Sequence, residues 1–155
     1  TIYCSYVRPL LESAVTAWNP YKQGDVEALE RVQRRSLRMI SDLGNMSYEE
    51  KLQKLGLQTL EDRCLRDDCI ETFKYLTGIN NVDTQLFSFV RERHSKDTRS
   101  HANDHLLPEK SNLNIRKYFF SNRVTTAWNS LPQDVKEATS VNAFKNRYDS
   151  HIKLM

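Results

Sequence analysis

The stretch "LERVQRRSLRMI", residues 29–40, decides how this chain is read. Arg31, Arg34, Arg35 and Arg38 stand at i, i+3, i+4 and i+7. At about 100° per residue they share one face of an α-helix, whereas a strand would send them to both faces. Leu29, Val32, Leu37 and Ile40 fall roughly on the other side. The segment is therefore an amphipathic helix carrying a guanidinium stripe. The stripe has two readings. It contacts a polyanion, or it is the wet face of an ordinary helix whose arginines pair with Glu27, Glu30 or the acids of residues 41–90.

The neighbouring segments extend the helical pattern. Upstream, Leu11, Val15 (or Ala14) and Trp18 keep helical spacing over residues 3–18, with a start or kink at Pro9. "NPYKQGD" is a turn with Asp25 as N-cap of the arginine helix, and Gly44 and Asn45 stop that helix. Ser47 and Glu50 form a capping box for a short helix ended by Gly56. Thr59 and Asp62 cap a long one over about 60–77, ended by Gly78. A short apolar run, Leu86 to Val90, follows Asp83. Residues 91–112 lack an apolar period and read as a long basic loop, of a length that is usually functional or disordered. Phe120, Val124, Ala127, Trp128 and Leu131 then mark one helical face, broken by Pro132. Ser140 caps a last helix with Val141, Phe144 and Tyr148. The predicted fold is all-α, an irregular bundle of about six helices with a basic loop near 91–112.

Composition narrows the class. The 155 residues suffice for one compact domain or two small ones, and 39% hydrophobic content suits a globular chain. The net charge of +3 is mild, but its distribution is uneven. Residues 1–40 carry a net +2, residues 41–90 a net −4, residues 91–123 a net +4 and the remainder +1. Two basic regions flank an acidic one. Three cysteines, Cys4, Cys64 and Cys69, without a C-x-x-C pair suit a reduced intracellular protein, nuclear or cytoplasmic. No apolar run is long enough for a membrane span, and no leader pattern is seen. The opening at Thr1, as if inside a helix, reads as a piece of something longer.

Catalytic chemistry is sparse. Asp67-Asp68 resembles a metal-binding carboxylate pair only superficially. Adjacent residues within a helix diverge, and a two-metal site needs convergence, so the expected role is a solvated face. His94, His101 and His105 lie in the basic loop, and the H-x3-H spacing of the last two is at most half a zinc site. No P-loop, nucleophile elbow or dinucleotide fingerprint is present. Cys64 and Cys69 read as small core residues, and Trp18 and Trp128 as core aromatics. Tyr118, Phe119 and Phe120 read as core, with room for one exposed ring to stack on a base. No metal and no cofactor are expected.

"VRPLLESAVTAWNPYKQGDVEALERVQRRSLRMI" resembles a stretch that follows the catalytic palm in reverse transcriptases of non-LTR, LINE-type retrotransposons, the jockey-like and chicken-repeat-like clades above all. The matching positions are Arg8-Pro9-Leu10-Leu11-Glu12, Trp18-Asn19-Pro20, Asp25-Val26 and Leu29 through Arg35. "MSYEEKLQKLGLQTLEDRCLRDD", "TRSH" at 98–101 and "NIRKYFFSNRVTTAWNSLPQDVKEATSVNAFKNRYD" resemble later blocks of the same family. Lys51 and Cys64 depart from it where Arg is common, and Tyr148 stands for an aliphatic residue.

The resemblance implies a thumb-like helical part, residues 1–45, and a C-terminal helical extension, 46–155, packed on it. The family's catalytic aspartates belong to an aromatic-Ala-Asp-Asp block that this chain lacks, so no enzyme activity is expected of it alone. The implied partners are the RNA–DNA or DNA duplex backbone and the palm and fingers of the parent polymerase, with no membrane. Arg31, Arg34, Arg35 and Arg38 are the candidate phosphate contacts. Arg99, His101, Arg116, Lys117 and Arg123 would form a second basic surface. The alternative is a helical protein-interaction module, or a decayed element fragment, without nucleic-acid binding.

Overall fold

The computed structural model describes residues 2–40, 43–80, 86–90 and 105–154. It is predominantly helical, as expected, with one two-stranded ribbon. The chain divides into two compact units, Thr1–Asp67 and Asp68–Met155.

In the first unit a π-helical turn, Tyr3–Val7, runs into α1, Arg8–Glu12. Pro9 lies in the first turn of α1, where the sequence allowed a helix start, but the expected helix over 3–18 is broken further on. Ser13 is extended and Ala14 takes φ 55°, after which α2 spans Val15–Trp18. A left-handed alanine costs about 1–2 kcal/mol, so its surroundings must hold it. Part of the compensation is visible. Trp18 Nε1 donates to the Ser13 carbonyl at 2.5 Å, an oxygen the break removes from the helical ladder. Trp18 is thus a clasp on the break, 38% exposed, rather than a core residue.

The arginine helix, α3, spans Gln23–Arg38. Its N-cap is Lys22, and Asp25 lies in the first turn, where a carboxylate favours the positive end of the helix dipole. The helix ends at Arg38, before Gly44. α4, Tyr48–Leu55, starts at the expected capping box. The Glu50 N–H donates to Ser47 Oγ at 3.2 Å and the Ser47 N–H to Glu50 Oε2 at 2.6 Å. Gly56 closes α4 at φ 62°, with the Leu57 N–H reaching back to the Leu52 carbonyl at 2.8 Å.

The buried side of α3 is more polar than its spacing suggested. Glu30, Gln33 and Leu37 are buried, while Val32 is exposed. Gln33 accepts from the Tyr3 hydroxyl at 2.6 Å and donates to Tyr48 Oη and the Gln58 carbonyl, both at 2.9 Å. Glu30 accepts from the Tyr48 hydroxyl and, at 2.9 Å, from the Leu60 N–H. These bonds fasten α4 and the start of α5 to α3. All of these residues belong to the first unit, which runs to Asp67. Glu12 adds a clamp from α1, taking Arg63 Nε and, at 2.8 Å, Nη2.

α5, Leu60–Leu76, contributes its first turns to this unit and the rest to the second. Thr59 Oγ1 accepts from the Asp62 N–H at 3.1 Å, and Gly78 ends the helix at φ 72°. In the second unit β1, Ser88–Phe89, pairs antiparallel with β2, Leu106–Leu107. The ribbon is too short for a period-2 signal. The Asn129 amide stands in for a further strand, accepting from the Leu106 N–H and donating to its carbonyl, both at 2.9 Å. α6, Asn114–Lys117, leads to α7, Phe120–Ser130. After Pro132 come α8, Gln133–Lys136, and α9, Val141–Leu154. Cys69, Ile70, Phe73, Val124, Trp128, Phe144 and Tyr148 build the core, with Phe144 stacked on Phe73 at 4.6 Å between ring centroids. Cys64 and Cys69 are buried as expected, and Tyr148 is absorbed into the core.

Burial sets an alkaline limit on stability. It pushes the Cys69 thiol up to about 12 from 9.0, with the neighbouring Asp68 carboxylate adding to the effect. It pushes the Tyr3 phenol up to about 12 from 10.0, and raises Tyr48 further, helped by its bond to Glu30. Each folded value exceeds the unfolded one, so unfolding releases these protons as pH rises. The stabilisation is complete below the unfolded values and disappears between them and the folded ones. The unfolding free energy, and with it the urea midpoint, should therefore be flat near neutrality and fall from about pH 9 upward, by up to about 1.4 kcal/mol per pH unit for Cys69 and by less for the two phenols, which solvent screens more. Trp18 fluorescence follows the first unit and Trp128 the second. A midpoint unchanged at pH 11 would show that these groups titrate as if exposed.

Candidate nucleic-acid interface

Arg31, Arg34, Arg35 and Arg38 are all exposed. The residues that hold α3 in place, Glu30, Gln33 and Leu37, lie on its other side. Among the described residues no carboxylate lies within 4 Å of the four guanidiniums. Glu30 is withdrawn by Tyr48 and the Leu60 N–H. Glu27 meets Arg31 only through its main-chain oxygen, at 3.4 Å from Nε. Arg34 lies over the Tyr48 ring, 4.8 Å from its centroid. Stacking uses the face of a guanidinium and leaves its N–H edge free to donate. At 1.5 Å rise per residue the stripe extends roughly 10 Å along the helix axis. A row of guanidinium forks fits phosphate oxygens.

The second basic surface is only partly assembled. Arg99 and His101 lie outside the described residues, as does His94. Arg116 and Lys117 are exposed on α6. Arg116 is engaged by Glu109, Nε at 2.8 Å, and lies over the Phe119 ring. Lys117 lies over the Tyr118 ring, Nζ 5.5 Å from its centroid. Arg123 has to be withdrawn as a phosphate contact. Its Nε and Nη2 each donate to Asp68 at 2.8 Å, its Nη1 reaches the Tyr118 carbonyl at 3.4 Å, and the Asp68 side chain is 1% exposed.

This pair also corrects the expectation for Asp67-Asp68. Asp68 is a buried structural carboxylate and not part of a solvated face. Sequence spacing carried no sign of it, because its partner is 55 residues away. Among the described residues no cluster of three or more His, Cys, Asp or Glu could hold a metal ion. No helix among them is long and apolar enough to cross a membrane. Lys51 and Cys64, which stand where the resembling family often has Arg, are both buried, so neither adds a surface cation.

Comparison of the chain with models of protein families, with curated proteins and with solved structures gives no match.

Proposed function

We propose that this chain is the nucleic-acid-gripping, non-catalytic C-terminal portion of a retroelement reverse transcriptase, holding a template–primer backbone through α3. The observation that carries the reading is the set of four exposed guanidiniums on one side of α3, with no described carboxylate beside them. The sequence blocks that resemble the post-palm region of LINE-type enzymes support it independently. In this reading the chemistry belongs to the palm of the parent polymerase, and this chain positions the duplex.

The test is fluorescence anisotropy of a labelled RNA–DNA hybrid against the purified chain. Four phosphate contacts predict a slope of log affinity on log salt of about −3.6, a loss of about 100-fold between 50 and 200 mM salt. No binding at about 50 mM salt would favour the alternative of a helical protein-interaction module or decayed fragment. That alternative draws on a separate feature. Ile2, Tyr6 and Leu10 recur every four residues and are all strongly exposed, an apolar row of the kind that marks a docking face.

A further inference from the structure

Phe119 and Phe120 are neighbours with opposite placements. Phe120 enters the core of the second unit, while Phe119 remains 42% exposed. The Arg116 guanidinium lies over the Phe119 ring, 5.1 Å from its centroid, and Glu109 holds that guanidinium by its edge. The backbone around the ring is fastened. Asn122 accepts from the Glu109 N–H at 2.8 Å and donates to the Arg116 carbonyl at 2.9 Å. The Asn122 and Arg123 N–H groups both return to the Phe119 carbonyl. Leu113 and Ile115 are exposed in the same segment. Glu109 is the one acid in residues 105–123, and it is spent on Arg116. Lys110 and Lys117 are left as exposed positive charges.

An exposed aromatic braced by a guanidinium, on a fixed backbone with cations flanking it, has the parts an unpaired base needs. The ring supplies a π-face and the ammonium groups meet the adjoining phosphates. We infer that residues 109–119 form a platform for single-stranded nucleic acid, with an unpaired base stacking on Phe119 and the strand's phosphates meeting Lys110 and Lys117. The inference rests on the nucleic-acid reading for its class of ligand, but it uses the other unit of the fold and a strand without a complement.

The test is anisotropy of labelled oligo(U) with the full chain, beside the RNA–DNA hybrid. F119A should weaken oligo(U) binding about 10-fold or more with an unchanged salt slope, because stacking is not ionic. Hybrid affinity should stay as in the wild type. K110Q and K117Q should each reduce the oligo(U) salt slope by about 0.7. F119W should keep the affinity and gain an emission that oligo(U) quenches, a signal that a merely structural ring would not produce. It also serves as the test if F119A fails to fold. Wild-type oligo(U) affinity in F119A, equal losses on oligo(U) and hybrid, or an unquenched F119W would each overturn the platform. So would binding to phosphatidylserine vesicles without binding to oligo(U). Failure of the α3 reading looks different: hybrid binding is absent while Phe119-dependent oligo(U) binding persists.

Discussion

Asp68→Ala should lower the unfolding free energy of the second unit by about 3–5 kcal/mol, the range found when one partner of a buried ion pair is removed. The Asp68 side chain is 1% exposed and takes two parallel hydrogen bonds from Arg123, whose own side chain is 14% exposed. Deleting the carboxylate leaves the guanidinium in a poorly solvated position beside Phe120, 5.8 Å from the ring centroid. Its residual exposure lets water recover part of the loss, which points to the lower half of the range. Urea unfolding followed through Trp128 measures the effect. The double change D68L/R123M should restore much of the stability, since an apolar pair of similar volume needs no compensation in a buried site. If D68A loses less than about 1 kcal/mol, the pair behaves as a surface salt bridge and does not organise the unit. The consequence reaches function, because Arg123 lies one helical turn after Phe119. A loosened α7 start would disturb the proposed platform without touching it.

What could be read in advance was local. The Ser47–Glu50 capping box, Gly56, Gly78 and the cap at Ser140 act within a few residues, and all four operate where expected. Phe120, Val124, Trp128 and Leu131 repeat at helical spacing and are buried. What could not be read depends on partners distant in sequence. Gln33 has glutamine's ordinary look on a charged helix, yet it is fully buried because Tyr3 and the Gln58 carbonyl converge on it. Asp68 looked solvated because Arg123 is far along the chain. The break at Ala14 has no glycine to announce it, and the ribbon of β1 and β2 is two residues long on each side. For the candidate interface the same division holds. Exposure of the α3 arginines followed from periodicity, while the loss of Arg123 to the interior did not.

The quadruple variant R31Q/R34Q/R35Q/R38Q should remove most of the salt dependence of hybrid binding, lowering the slope by about 3–4. Affinity at about 50 mM salt should fall by 100-fold or more, since backbone contact supplies nearly all non-specific binding. The fold should survive the change. All four side chains are exposed, and glutamine forms helix about as well as arginine. Arg35 and Arg38 lie in the last turn, where losing favourable charge near the helix C-terminus costs about 0.3–1 kcal/mol each and less in salt. The hydrogen bonds among Glu30, Gln33, Tyr48 and Tyr3 do not involve them, and only Arg34 touches that hub, through its stack on the Tyr48 ring. The all-lysine counterpart separates charge from geometry. It should keep the slope, because the count of neutralised phosphates is unchanged, but bind more weakly, because an ammonium cannot make the two-point contact of a guanidinium. R34K should lose most among the single lysine variants, since it also gives up the stack on Tyr48. Should the glutamine variant keep the wild-type slope while circular dichroism shows an intact helix content, the counterions released on binding come from some other surface and α3 is no more than the wet side of a helix.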